Sequence, residues 1–285
     1  MKDDYLIAEC PNGCGSTLIE TDISVAEGVL RECSRCGQMV SSCTKEYYEE
    51  SNAKWNIEEG TWPTENDFKR LYRRRKRDID FISKTLNKPL YEIHILDVGC
   101  SSGSSVLIAK EMGLDAEGVD TSEKAVQMGK ERGLNVHAGF LHDVAFASDS
   151  FDAITLYEVI EHVDTPIHLL TECHRILRPG GVLVVGTGNT DSWTKKMRKD
   201  KWEFFNMSYF GGHVSFFFIG SMKTLASHTG FTVVRTRTAS VSFIDKNEAP
   251  WAVYRLSKIC SELCYIPSKI FNKGHQMEVY LVANK

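Results

Sequence analysis

No run of about 18 apolar residues occurs in this chain, so no transmembrane helix is expected. Its first residues, Met1-Lys2-Asp3-Asp4, are acidic and lead into no apolar signal core, so a cytoplasmic protein is expected. Charge of one sign is also scarce. A net charge of −4 over 285 residues removes any general attraction to polyanions. No internal repeat or low-complexity tract is present. The length suffices for one core domain of ordinary size with a small appendage.

One absence is local. Ile95-Leu96-Asp97-Val98-Gly99-Cys100-Ser101-Ser102-Gly103 reads as an apolar strand ending in a small-residue turn, followed by a helix from Ser104 to Met112. Such a turn presents backbone N–H groups and a helix N-terminus to a polar ligand. A dinucleotide fingerprint counted from Gly99 needs glycine at Ser101 and Ser104, and neither is glycine. An NAD-dependent oxidoreductase is therefore disfavoured. A second strand ends at Gly118-Val119-Asp120, with Thr121 next. Asp120 follows Gly99 by 21 residues, the spacing at which a carboxylate reaches a ribose diol. A nucleoside site at the C-terminal edge of a parallel sheet follows.

Asp97-Val98-Gly99-Cys100-Ser101-Ser102-Gly103 resembles the acidic-x-G-x-G-x-G motif of class I S-adenosylmethionine (SAM) methyltransferases, with Ser101 in place of the middle glycine. Three further blocks agree. Ser150 to Val163 reads as a strand and its exit, Thr165 to Arg178-Pro179-Gly180-Gly181 as a helix and its stop, and Val182 to Thr187 as the next strand. This run is similar to the Methyltransferase 11/23 branch over about residues 90–284. The resemblance implies an α/β fold with a Rossmann-like seven-stranded sheet. Its last strand, Met277 to Ala283, would be antiparallel at the sheet edge. SAM would lie on Asp97, Gly99, Cys100, Ser101, Gly103, Asp120 and Thr121, with Tyr157 near its methionine end. The family's usual Gly-Asp after strand three is Gly139-Phe140 here. Phe140 would stack on the purine, or Asp143 would supply the carboxylate.

Nine cysteines fit a reducing compartment given their spacing. Cys10-x3-Cys14 and Cys33-x2-Cys36 are two close pairs, each followed by glycine, Gly15 and Gly37. Two tight turns delivering four thiolates suit a structural zinc ion, and the short β-like runs between them suggest a zinc ribbon. Metal binding would supply the folding energy that so small a module lacks. Cys43 reads as a stray thiol, and Cys260 and Cys264 as helix packing. The expected organisation is a ribbon over 1–50, a linker over 51–89 and a methyltransferase domain over 90–285, with a helical insertion near 245–274. In the linker, Thr64 caps a helix whose apolar residues (Phe68, Leu71, Tyr72, Ile79, Ile82, Leu86) recur at helical spacing. Its basic face, Lys69 to Arg77, is read as solvated and paired with Glu46, Glu49, Glu50, Glu58 and Glu59, or as a surface for an anionic acceptor.

Methyl transfer needs a nucleophile in line behind an electrophilic carbon and, for an oxygen acceptor, removal of a proton. Glu158-x-x-Glu161-His162 lies where strand four exits. Two carboxylates and an imidazole suit magnesium or manganese. The pattern resembles the metal site of ubiquinone-biosynthesis O-methyltransferases and of small-RNA 3′-terminal 2′-O-methyltransferases. In the RNA enzymes a further histidine completes the site, and His213 is the matching residue. Without metal, His162 and His213 are the general-base candidates, with Glu161 beside them. Aromatics between Lys201 and Phe210 would cap an acceptor ring or pack on the sheet. The expected function is O-methylation of a sugar, glycan or small natural product. A lipid-quinone catechol, RNA 3′-end 2′-O-methylation and an inactive SAM-binding partner protein are the alternatives.

Overall fold

The computed structural model describes residues 5–58, 62–205 and 212–285, with backbone alone for 53–58. The N-terminal module starts with a hairpin, β1 (Leu18–Val25) and β2 (Gly28–Cys33), paired antiparallel from Leu18↔Cys33 to Val25↔Gly28. A two-residue strand, β3 (Met39–Val40), pairs with β2, and α1 (Lys45–Glu58) follows.

Helix α2 (Glu65–Leu86) begins where its capping chemistry predicts. The Thr64 side chain accepts from the Asp67 N–H, and Asn87 closes the helix in the left-handed region. Its inward residues are Ile79, Ile82 and, unexpectedly, Asp78, all buried. The Asp78 carboxylate accepts from the phenols of Tyr157 (2.9 Å) and Tyr280 (2.6 Å), and Arg77 pairs with it. The helix expected in a linker is thus built into the core. Its cations also pair differently from expectation. Lys69 meets Glu65, Lys76 meets Asp80 and Arg77 meets Glu278, within one turn or across to the sheet. The side chains of Glu58 and Glu59 lie outside the described residues.

The main domain runs β4 (His94–Val98), α3 (Ser104–Glu111), β5 (Asp115–Asp120), α4 (Glu123–Lys130), β6 (Asn135–Ala138), β7 (Phe151–Tyr157), α5 (Pro166–Ile176) and β8 (Leu177–Gly188). It continues through α6 (Trp193–Arg198), β9 (Ser215–Phe216), α7 (Ile219–His228), β10 (Phe231–Ala239), α8 (Trp251–Ile270) and β11 (Gln276–Ala283). Seven strands form one sheet in the order β10-β11-β8-β7-β4-β5-β6. β4, β5, β6, β7 and β8 are parallel, and β11 is antiparallel to both its neighbours. The last strand is therefore antiparallel as expected but not at the edge. It inserts between β8 and β10, and β10 takes the edge. Burial explains this: β11 carries Met277, Val279, Tyr280 and Leu281 at 1% exposure or less, so both its faces need cover.

Helices sandwich the sheet. Leu170, Cys173, Met222 and Leu225 of α5 and α7 pack on one face. Ile79, Ile82, Val106 and Ala109 of α2 and α3 pack on the other. Strand order reverses between β4 and β7, which opens a crevice at their carboxyl ends. The small sheet then reaches across to it. β9, from the main domain, pairs with β3 through Val40↔Ser215 and Met39↔Phe216.

Candidate functional site

The turn after β4 is built for close approach. Gly99 (φ +73°) and Gly103 (φ +85°) sit in the left-handed region. A Cβ at Gly99 would stand 2.3 Å from the Val159 Cγ2, and one at Gly103 2.7 Å from the Leu134 Cδ1. Ser101 is also left-handed at φ +47°, a conformation that costs a non-glycine residue about 1–3 kcal/mol. The surroundings hold it there. The Ser101 N–H donates to Asp120 Oδ2 at 2.7 Å, and the Ser122 N–H donates to Oδ1 at 2.9 Å. The Gly99 and Cys100 N–H groups donate to the Val119 carbonyl. The ends of β4 and β5 are thereby locked together, with Thr121 exposed beside them. The Cys100 side chain is buried against Gly118.

Asp97 is 7% exposed and accepts from the Thr155 hydroxyl at 2.6 Å. Burial raises its pKa, while Arg75 and Thr155 oppose the rise. The Arg75 guanidinium lies 3.2 Å from the centre of the Tyr157 ring and donates to Ser105 Oγ at 2.9 Å. Arg75 and Thr155 escape a reading of the sequence as site residues. Arg75 sits in a run of cations, and only the helix phase shows that it points inward. Phe140 is 60% exposed and stacks on His142, whose ring pairs with Asp143 at 3.4 Å.

Glu161, His162 and His213 converge, with one ligand atom from each lying within 4.8 Å of the others. Two different loops deliver them. A 3-10 turn over Ile160–His162 follows β7, and the segment before β9 carries His213. The backbone clamps the two loops together: Val214 N–H donates to the Glu161 carbonyl at 2.8 Å. His213 is 2% exposed, and its Nδ1 lies 2.9 Å from the Phe204 carbonyl. With Nδ1 as the donor, Nε2 carries the lone pair. Burial first, and His162 second, lower its pKa to about 3, so it is a neutral imidazole at physiological pH. That suits a ligand better than a general base, which works best near pH 7. His162 is half-buried and meets His213 edge to face at 4.6 Å.

Glu161 is 1% exposed, and neither carboxylate oxygen accepts a hydrogen bond of ordinary geometry among the described residues. Burial first and Glu158 second push it well above the usual carboxylate range. Glu158, left-handed at φ +56°, is ringed by protein yet solvent-accessible, and its pKa is raised too, by burial foremost. It lies beside the three convergent residues, not among them.

The sulfurs of Cys10, Cys14, Cys33 and Cys36 also converge within 4.8 Å. None forms a disulfide. Gly15 and Gly37 both adopt positive φ as the turns require. Burial raises Cys10, and pushes Cys14 up to about 11, while the N–H groups of Cys36 and Arg35 overcome burial to hold Cys33 below the ordinary thiol range. Four crowded thiols with backbone donors aimed at one of them fit a tetrahedral zinc ion, which favours the thiolates. Cys43 is buried alone, Cys260 is exposed and Cys264 is half-buried.

The described aromatics before His213 pack into a core. Trp202, Phe204 and Phe205 fill a core shared with Leu30, Met39 and Phe216 of the two strands from the module and β9. The rest of that predicted aromatic segment, 206–210, lies outside the described residues.

A family model described as a methyltransferase domain matches residues 69–236. A ubiquinone biosynthesis O-methyltransferase of Cereibacter sphaeroides is 27% identical over 158 residues, covering 50% of this chain and 62% of that one. The enzyme of the same name from Sinorhizobium fredii is 35% identical over 108 residues, covering 36% and 44%. The match thus spans less than two thirds of these relatives' length. Among solved structures, a SAM-dependent methyltransferase from Archaeoglobus fulgidus superposes with a TM-score of 0.54 at 16% identity, over 75% of this chain and 94% of that one. Another, from Mesorhizobium loti, gives 0.50 at 17% identity, over 72% and 96%. The sheet order, the turn after β4 and the family match agree, and the chain belongs to the methyltransferase domain family, with the fold of SAM-dependent methyltransferases.

Proposed function

We propose that this chain transfers the methyl group of SAM to a hydroxyl of a small-molecule acceptor, assisted by a divalent ion. The acceptor carries a second oxygen on the neighbouring carbon, as in a sugar, a glycan unit or a catechol. The observation that carries the proposal is Glu161. A buried carboxylate whose oxygens find no donor of ordinary geometry among the described residues is costly to ionise unless a cation accompanies it. Two imidazoles converge on it, one with its tautomer already set by Phe204. Magnesium or manganese held by Glu161, His162 and His213, with Glu158 nearby, would lower the pKa of an acceptor hydroxyl. The names of the curated relatives support oxygen as the methylated atom.

The remaining residues have plain roles in this reading. Asp120 and Thr121 hold the ribose, the 99–103 turn and Asp97 hold the methionine part, Tyr157 borders it, and Phe140 covers the adenine. Arg75 and Thr155 keep Asp97 in place. With its lone pair on the ion, His162 cannot also take a proton, so the acidified acceptor hydroxyl would lose its proton to water as the C–O bond forms and the S–C bond breaks; without an ion, the half-buried His162 would be the base. The Cys10–Cys14–Cys33–Cys36 zinc site keeps the His213 loop in position.

The test is transfer of labelled methyl from SAM across nucleotide-sugars, glycan fragments, catechols and RNA 3′ ends. Each is run in metal-depleted buffer, with magnesium or manganese then titrated back. Metal-dependent labelling of a small molecule with adjacent oxygens is the expected result. Labelling indifferent to metal would overturn the chelation. Labelling of RNA alone would overturn the acceptor class, and SAM binding without any transfer would favour a non-catalytic partner.

A further inference from the structure

Helix α8 is turned inside out. Leu256, Ile259, Leu263, Ile266 and Ile270 recur every three or four residues, which places them on one stripe. That stripe faces outward, with exposures between 52% and 73%. Its opposite face, Ser257, Ser261, Cys264 and Ser268, is the one that packs onto the protein. Ser261 and Ser268 are buried, and the Ser268 carbonyl accepts from the Thr238 hydroxyl of β10 at 3.3 Å. Trp251 and Phe271, 72% and 64% exposed, stand at the two ends. Five large aliphatics in a row on the outside exceed the scattered apolar residues of an ordinary surface.

The border of the stripe is basic. Arg255, Lys258 and Lys269 line one flank, with Glu262 as the only carboxylate on the helix. Lys269 Nζ sits 3.8 Å from the Tyr265 ring centre, and that phenol also feels Arg237 and Arg77. The flank therefore runs into a groove between α2 and β10 lined by Arg73, Lys76, Arg77, Lys84 and Arg235. Asp80 and Glu278 occupy Lys76 and Arg77, whereas Arg73, Lys84 and Arg235 have no carboxylate partner among the described residues. The methyl-transfer crevice uses none of these groups.

We infer that α8 and the adjoining groove form a docking surface for an anionic lipid bilayer. The aliphatic stripe enters the interface between headgroups and acyl chains, and the groove holds headgroup phosphates. Wide apolar faces with aromatic ends and Lys/Arg borders are the form that lies in the plane of a membrane surface. Each cation near an anionic surface adds attraction that falls off within a Debye length. A second copy of the chain fits worse. Glu262 lies on the same line as Arg255 and Lys269, so antiparallel pairing of α8 with itself about the middle of the stripe would set Arg255 against Lys269 and Glu262 against its own copy, like charges in each case. No described helix is long and apolar enough to cross a membrane, and lying in the interface requires none.

The experiment is flotation of the full chain with phosphatidylcholine vesicles and with vesicles of equal parts phosphatidylcholine and phosphatidylglycerol. Binding to the anionic vesicles alone, weakened by salt, is expected. The L263D/I266D pair and the R73E/R235E pair should each weaken it by about tenfold or more. Retained SAM binding shows that the variants are folded, and L263S/I266S serves if the aspartates disturb the helix. Wild-type protein that ignores anionic vesicles would overturn the inference. So would equal binding by both variants and wild type, or a solution dimer that L263D/I266D converts to monomer.

Discussion

Val40 of the cysteine module lies opposite Ser215, two residues beyond His213, in an antiparallel pairing between β3 and β9. The chain of contacts continues inward. Ser41 N–H donates to the Val214 carbonyl, Val214 N–H donates to the Glu161 carbonyl, and the Tyr48 hydroxyl donates to the His162 carbonyl. On the outer side, the Asn12 carboxamide donates to the Ser221 carbonyl at 3.2 Å. The module thus braces both loops that carry the convergent glutamate and histidines.

Stripping zinc, or the C33S substitution, should therefore act at a distance. The module loses its folding energy, and the β3–β9 pairing loosens. Methyl transfer should fall about tenfold or more, while SAM affinity changes by no more than about threefold, because the 99–103 turn is not attached to the module. Hydrogen exchange at the Ser41 amide, which donates to the Val214 carbonyl across the pairing, reports the loosening directly. Full protection of that amide in metal-stripped protein would contradict the bracing role.

Glu161→Gln should exchange function for stability. Burial raises the Glu161 pKa, so the metal-free chain loses stability as pH rises above the unfolded carboxylate value of about 4.3, and the glutamine avoids that loss, worth about 1–3 kcal/mol at neutral pH. The same change weakens the divalent site. Magnesium or manganese should raise the melting temperature of wild type and leave E161Q unmoved. Calorimetric scans with and without ion measure both effects.

Asp120→Ala removes the acceptor for the Ser101 and Ser122 N–H groups together with the proposed ribose ligand. Hydrogen bonds to a charged group contribute about 1.5–3 kcal/mol, so SAM affinity should drop by about tenfold to a hundredfold in titration calorimetry. An unchanged Kd would remove Asp120 from the cofactor site.

Gly99→Ala meets two obstacles, the Val159 methyl at 2.3 Å and a backbone at φ +73°. A loss of about 1–3 kcal/mol is expected. Val159→Ala should relieve the clash and not the backbone strain, so the double variant recovers only part of the loss in denaturant titrations.

Asp152 sets an acid limit. It is 2% exposed, accepts from the His94 N–H, and pairs with Lys88 at 2.7 Å and Arg178 at 2.6 Å. Burial opposes its ionisation, yet these donors hold its pKa below the usual aspartate range. A depressed folded pKa gives stability that is complete above the unfolded value of about 3.9 and lost as pH falls through the folded value. Unfolding free energies of wild type and D152N should differ most above about pH 5 and converge below that unfolded value. Arginine and lysine partners that are part-exposed keep the effect modest.

Much of the site was legible because local chemistry dictates it. The apolar run into Gly99, the acid 21 residues later, the Thr64 cap, Pro166 opening α5 and the paired cysteines each encode their own geometry within a few residues. The fold class and the glycine-flanked turn after β4 follow from these. What remained hidden depends on partners far apart in the chain. Asp78 looks like one more solvated charge in a basic helix until Tyr157 and Tyr280, 79 and 202 residues away, close over it. Arg75 differs from its basic neighbours only in facing Asp97 and Tyr157. The place of β11 inside the sheet, the Trp202 and Phe204 core shared with the module, and the outward stripe of α8 are settled by which surfaces meet. Periodicity marks an apolar face, but only packing decides whether that face turns toward the core or away from it.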